Sequence, residues 1–184
     1  EADANTMSEY QYYEFLAIAQ PLSDADMRWL RSLSTRADIT STRFVNEYHW
    51  GDFKGNPVKL MKRCFDAHVY ISNFGYCCFM VKVPAQLVDG EAMRQYAAEV
   101  GIVIRSGPDA VIAEFNWNDD AGSWEMTDEP SGWMASLAPL REALIMGDYR
   151  PLYLAWLLNV QQQMLDDDDL EPPVPSGLGM LPAP

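Results

Sequence analysis

The apolar positions of the chain begin to pattern at Glu9 to Ile18, a run dense in Tyr and Phe that predicts a first strand ended by Gln20-Pro21. Alternation puts Tyr13, Phe15 and Ala17 on one face and Tyr12, Glu14, Leu16 and Ile18 on the other. Ser23 followed by Asp24 and Asp26 supplies an N-cap and an acidic first turn. With the stripe Met27, Leu30 and Leu33, it predicts a helix over 24–35. Phe44 to Trp50 is a second aromatic strand that empties into the turn Gly51 to Gly55. Asn56-Pro57 opens another helix, and Leu60, Met61, Cys64, Phe65, His68 and Val69 recur at helical spacing, which predicts that it continues to Ser72 before Asn73-Phe74-Gly75 stops it.

The second half changes rhythm. Cys77 to Val83 is almost wholly apolar and predicts a central strand. Gln86 to Ala98 reads as helix with a break near Asp89-Gly90. Val100 to Arg105 and Ala110 to Trp117 read as strands joined by the turn Ser106-Gly107-Pro108-Asp109. Asn118 to Trp133 has no period and reads as a long surface loop. Two helices follow, over 137–146 with Gly147 as the stop and over 148–165, where Leu152, Trp156, Val160 and Met164 share a register and predict a largely buried helix. The order predicts an α+β fold: a mixed sheet of about five strands with helices packed on it and two C-terminal helices. A ferredoxin-like sandwich is favoured, with a small doubly wound α/β sheet as the alternative. Residues 1–165 read as a single domain, and 166–184 as an acidic, Pro/Gly-rich tail or linker held against the domain or a neighbour.

Composition sharpens the picture of partners. Of 184 residues 48% are hydrophobic, enough for a sizeable core, and the longest apolar run, Leu152 to Leu158, is too short to span a bilayer. Glu1 to Thr6 lacks the basic and apolar regions of a signal peptide, so a cytoplasmic protein is expected, with no membrane. Cys64, Cys77 and Cys78 are odd in number and read as reduced core thiols. The net charge of -14 is uneven: up to Pro84 there are 9 Lys/Arg against 10 Asp/Glu, and after it 4 against 17. A field of that sign disfavours phosphate backbones and calls for a basic complement. Nucleic-acid binding through Arg28, Arg31, Arg36, Arg43, Lys59, Lys62 and Arg63 is therefore the weakest of the functional readings.

Candidate chemistry gathers at Glu47, His49, Asp52 and Lys54. Alternation puts Glu47 and His49 on one face, as a base and its orienting carboxylate require, and His68 could extend the group toward a metal site. The competing reading is a solvated sheet edge, since no His-x-His or Cys-x-x-Cys spacing accompanies them. No cofactor and no metal is expected. Asp119, Asp120, Asp128 and Glu129 lack the spacing of a calcium loop. Tyr10, Tyr12, Tyr48, Trp50 and Phe53 are read mainly as core, with an exposed stacking platform as the alternative. No nucleotide-binding or hydrolase signature occurs in the sequence.

The segments Glu9-Tyr-Gln-Tyr-Tyr-Glu-Phe and Phe44-Val-Asn-Glu-Tyr-His-Trp-Gly-Asp-Phe-Lys-Gly, with Lys59-Leu-Met and Phe65-Asp-Ala, resemble a group of uncharacterised bacterial proteins. In that group Glu171-Pro-Pro-Val-Pro-Ser-Gly-Leu-Gly looks like a junction to further sequence. The resemblance implies an N-terminal domain with Met7 as the usual start, and it carries over no functional residue. The function expected is a non-enzymatic protein-interaction or accessory domain, its partner another protein or a further domain of a longer chain. An enzyme or ligand-binding domain with its site at Glu47, His49, Asp52 and Lys54 is the alternative.

Overall fold

Tyr70 and Ile71, on a segment that the apolar spacing assigns to a helix, lie instead in a strand with every residue buried. The computed structural model describes residues 10–49, 51, 53–118, 130–166 and 168–180. In chain order these form β1 (Gln11–Leu16), α1 (Asp24–Leu33), β2 (Asp38–Ile39), β3 (Arg43–Tyr48), α2 (Pro57–Arg63), β4 (Ala67–Ser72) and β5 (Tyr76–Pro84). There follow α3 (Gly90–Arg94), β6 (Ile102–Ser106), β7 (Ala110–Asn118), α4 (Ser131–Leu137), α5 (Leu140–Ile145) and α6 (Arg150–Gln161), with short 3-10 turns at Ala85–Leu87 and Leu178–Met180.

The fold is α+β. Its seven strands run in the order β2-β3-β1-β4-β5-β7-β6, and β1 pairs antiparallel with both β3 and β4, as β3 does with β2 and β7 with β6. This corrects the mixed sheet of about five strands. The two added strands are β2, of two residues, and β4, where complete burial erases the alternation that marks a half-buried strand. The antiparallel pairing of β1 with β3 also removes the doubly wound alternative, whose neighbouring strands would run parallel. The C-terminal helices number three among the described residues rather than two: α4 begins at Ser131, inside the stretch expected to be a surface loop, ahead of α5 and α6.

The chain divides into two compact units, Glu1–Cys78 with Trp117–Ala135 and Phe79–Asn116 with Ser136–Pro184. In the first, the alternation of β1 places Tyr13 and Phe15 opposite Asn46 and Phe44 of β3, and Tyr70 and His68 of β4. Phe15, Phe44 and Phe65 are fully buried there, together with Leu30 of α1 and Leu60 and Met61 of α2. Ser23 caps α1 by accepting from Asp26 N, and Asn56 caps α2 by accepting from Lys59 N, as the sequence predicts. The helix α2 ends at Arg63, and Asp66 then fixes the chain by accepting from the backbone N–H groups of Ile18 and Ala19 at 2.7 and 2.8 Å.

In the second unit, α6 is tied to the residues that lead into β6. Asn159, 3% exposed, donates to Val100 O at 2.9 Å, and its side chain fills the space where a Cβ at Gly101 would stand. Gly101 also has φ +92, so the position is closed to other residues twice over. Both α5 and α6 end in a Schellman motif. At α5, Gly147 N donates to Leu144 O and Asp148 N to Ala143 O, with Gly147 at φ +75. At α6 the same pair of bonds runs from Gln163 N to Val160 O and Met164 N to Asn159 O, but a glutamine holds φ 56. A side chain in that conformation costs about 1 kcal/mol relative to glycine. Gln163→Gly is therefore expected to raise stability by about 1 kcal/mol in urea titration, with no gain if the cap frays in solution.

Candidate functional site

Glu47, His49 and Lys54 are exposed; Asp52 and Trp50 lie outside the described residues. Glu47 stands opposite Tyr12 in the β1–β3 register. Just outside β1, Tyr10 reaches both candidates. Burial first, then the charge of Glu47 and a hydrogen bond to it, push the Tyr10 hydroxyl up to about 12, and the Tyr10 and His49 rings lie 5.4 Å apart. Glu47 and His49 thus meet through Tyr10, a residue the sequence reading placed only among the stacking aromatics. His68 does not join them. It stands opposite Phe15, on the other face of the sheet from Tyr12 and Glu47.

His68 is instead part of the aromatic core. Its ring stacks on Phe15 with centroids 3.9 Å apart, and its Nδ1 lies 2.9 Å from Glu14 O, an acceptor, so Nδ1 carries the proton. Burial lowers its pKa to about 4 against the smaller, opposing effect of that hydrogen bond. Among the described residues no three His, Cys, Asp or Glu side chains are placed to hold a metal ion. The acids Asp119, Asp120, Asp128 and Glu129 lie outside the described residues. Burial pushes the Cys77 thiol up to about 11, which leaves it protonated and a poor nucleophile at neutral pH, and none of Cys64, Cys77 and Cys78 is in a disulfide.

A buried charge that the sequence reading left unremarked sits on β1. Glu14 is 2% exposed; its Oε1 accepts from Arg43 Nε at 2.6 Å and its Oε2 from the Tyr12 hydroxyl at 2.7 Å. The hydrogen bond to Glu14 raises the Arg43 pKa, while burial and Glu14 together raise that of Tyr12. Each carboxylate oxygen thus accepts a hydrogen bond, and the ion pair ties β1 to its neighbour β3. The alternation of Glu14 was readable, but its partner twenty-nine positions away was not. Other cations of this unit are occupied as well: Arg63 pairs with Asp26 at 2.9 Å over the Trp29 ring, and Arg31 donates to the carbonyls of Thr35 and Ala37. Tyr12 and Phe53 are buried, as core packing requires.

The second unit carries a cleft of about 610 Å³ beside α3, lined by Leu87, Asp89, Glu91, Arg94, Ser106 and Val111 among others. Its charges answer one another: Asp89 caps α3 by accepting from Glu91 N and Ala92 N, and Arg94 pairs with Glu91. The more telling surface is α6. The register shared by Leu152, Trp156, Val160 and Met164 predicts this helix to be largely buried, but the structure buries only Leu152, Tyr153 and Asn159. Leu154, Leu157 and Leu158 are 42%, 38% and 38% exposed, and Val160 is 45% exposed. Leu154, Leu157, Leu158 and Gln161 follow the i, i+3, i+4, i+7 spacing of one helix face, opposite Leu152 and Asn159.

The tail returns along this helix. Tyr153 donates to Glu171 Oε1 at 2.6 Å and Arg150 Nη1 to Gly177 O at 3.3 Å, so the chain leaves the C-terminal end of α6 and passes back toward its start. Pro172 is buried, and Tyr96 donates to Pro173 O at 2.9 Å. Leu170, Val174 and Met180 stay exposed at 90%, 59% and 79%. The tail is therefore held in place while presenting apolar side chains of its own. No protein-family model, curated protein or solved structure matches the chain, so what the site does is argued from its chemistry. Among the described residues no helix is long and apolar enough to cross a membrane.

Proposed function

We propose that this chain is a non-enzymatic protein-interaction or accessory domain, whose partner is another protein or a further domain of a longer chain. The observation that carries this reading is the outer face of α6, where Leu154, Leu157 and Leu158 stand in water at the spacing by which helices pack on one another. Three leucines on one face of a twelve-residue helix are a costly way to meet solvent, at about 25 cal/mol for each Å² of apolar surface. Covering them on binding recovers that free energy. A photoreactive amino acid placed at Leu158 in the cells that make the protein tests it: the reading requires a discrete heavier adduct, and a chain that remains uncrosslinked rejects it.

The second reading is an enzyme or small-ligand-binding domain built on Glu47, His49, Asp52 and Lys54. The contacts that Tyr10 makes with Glu47 and His49 favour it, since they hold an acid and an imidazole on one surface. The absence of an adduct at Leu158 would move the case to this reading.

A further inference from the structure

The charges around α6 say what kind of partner its outer face takes. After Pro84 the chain has only four cations, and each is already engaged: Arg94 with Glu91, Arg105 with Glu114, Arg150 with Asp148, and Arg141 with the Lys82 carbonyl. The carboxylates that remain are many. Asp166, Asp168 and Asp169 are exposed at the C-terminal end of α6, and Glu171 is carried back beside Tyr153 by the returning tail. An apolar helical stripe is thus edged by acids that no Lys or Arg of its own half neutralises.

From this we infer that the outer face of α6 docks a basic amphipathic helix, a segment with leucine-like anchors on one face and Lys/Arg flanking them. The inference rests on the interaction reading above and adds the chemistry of the partner. Apolar anchors at i, i+3 and i+4 fit the Leu154, Leu157 and Leu158 ridge, and flanking cations meet the carboxylates of Asp166, Asp168, Asp169 and Glu171. A second copy of the chain is the wrong occupant, because two molecules of net charge -14 would bring like-charged rims together. Anionic lipid is excluded by the same sign.

The test uses the 184-residue chain and two synthetic peptides with the same leucine face, one with lysine and one with glutamate on the polar face. The lysine peptide is expected to bind at least tenfold more tightly than the glutamate peptide, and to weaken several-fold between 50 and 300 mM salt, roughly as screening of surface charge dictates. A Leu154→Ser/Leu157→Ser/Leu158→Ser variant, whose changes lie on the exposed face and whose fold is checked by circular dichroism, is expected to lose that binding. Equal binding of both peptides overturns the inference, as does lysine-peptide binding that survives in the triple variant. Sedimentation showing a dimer that the variant dissolves would overturn it in favour of a second copy. Silence of both peptides alongside a clear in-cell adduct at Leu158 would reject the basic helix and leave the interaction reading standing.

Discussion

Phe15→Ala is expected to lower the stability of the chain by about 4 kcal/mol, the largest single effect its structure predicts. Phe15 is fully buried on β1, with the Phe65 ring 5.2 Å away, the Phe44 ring 5.7 Å away and His68 stacked at 3.9 Å. Removing the ring loses both its transfer from water and its contacts with those neighbours. Collapse of the cavity is resisted because β3 and β4 hold the walls on either side of β1. Phe15→Leu, which keeps most of the volume, should cost about 1.5 kcal/mol. Urea titration followed by far-ultraviolet circular dichroism gives both numbers, and a loss below about 1.5 kcal/mol for the alanine variant would mean that this aromatic cluster is not one packed core.

Acid should weaken the fold through His68. Its imidazole is buried and neutral, with a pKa lowered to about 4 by loss of hydration, whereas an unfolded histidine titrates at about 6.5. Between those two values the unfolded chain takes up a proton that the folded chain refuses. The stability that His68 allows is therefore complete above pH 6.5 and falls with pH below it, reaching a loss of about 3 kcal/mol near pH 4. Carboxylates titrate in the same window, so the variant His68→Gln isolates the effect: its side-chain amide can still donate to Glu14 O but cannot ionise. The stability difference between wild type and variant, measured at pH 7 and pH 4, is expected to shift by about 3 kcal/mol in favour of the variant. Parallel pH curves would show that His68 takes its proton inside the fold.

How far the sequence speaks for this structure depends on how local the deciding physics is. The caps Ser23 and Asn56, the stop at Gly147, the strand at Cys77 to Val83 and the turn at Gly107-Pro108 were all legible, because each is decided by residues within a few positions. Burial was not. Strand β4 and helix α6 are both apolar without alternation, and the same pattern conceals a strand covered on both faces in one case and a helix half bare in the other. The aromatic and β-branched content of His68-Val69-Tyr70-Ile71 was the signal that could have separated strand from helix. No comparable signal marks the bare face of α6, whose exposure depends on what the rest of the chain leaves uncovered.

The candidate site divides the same way. That Glu47 and His49 share a side was readable from parity, and the structure puts Tyr10 between them. That His68 stands on the opposite face followed from a register set by β4, a strand hidden in the sequence. The pairing of Glu14 with Arg43 is likewise a matter of register, fixed only once β1 and β3 lie side by side. Acidity was visible throughout the second half, but its placement along α6 waited on the tail being held by Tyr96 and Tyr153.

The outer face of α6 is the claim on which the functional account rests, and crosslinking from that face inside the cell tests it most directly. A photoreactive residue at Leu158 should yield one discrete adduct of higher mass, while the same residue at Asp109, exposed in the β6–β7 turn, should yield none. An adduct from Asp109 and none from Leu158, or none from either, would contradict the account.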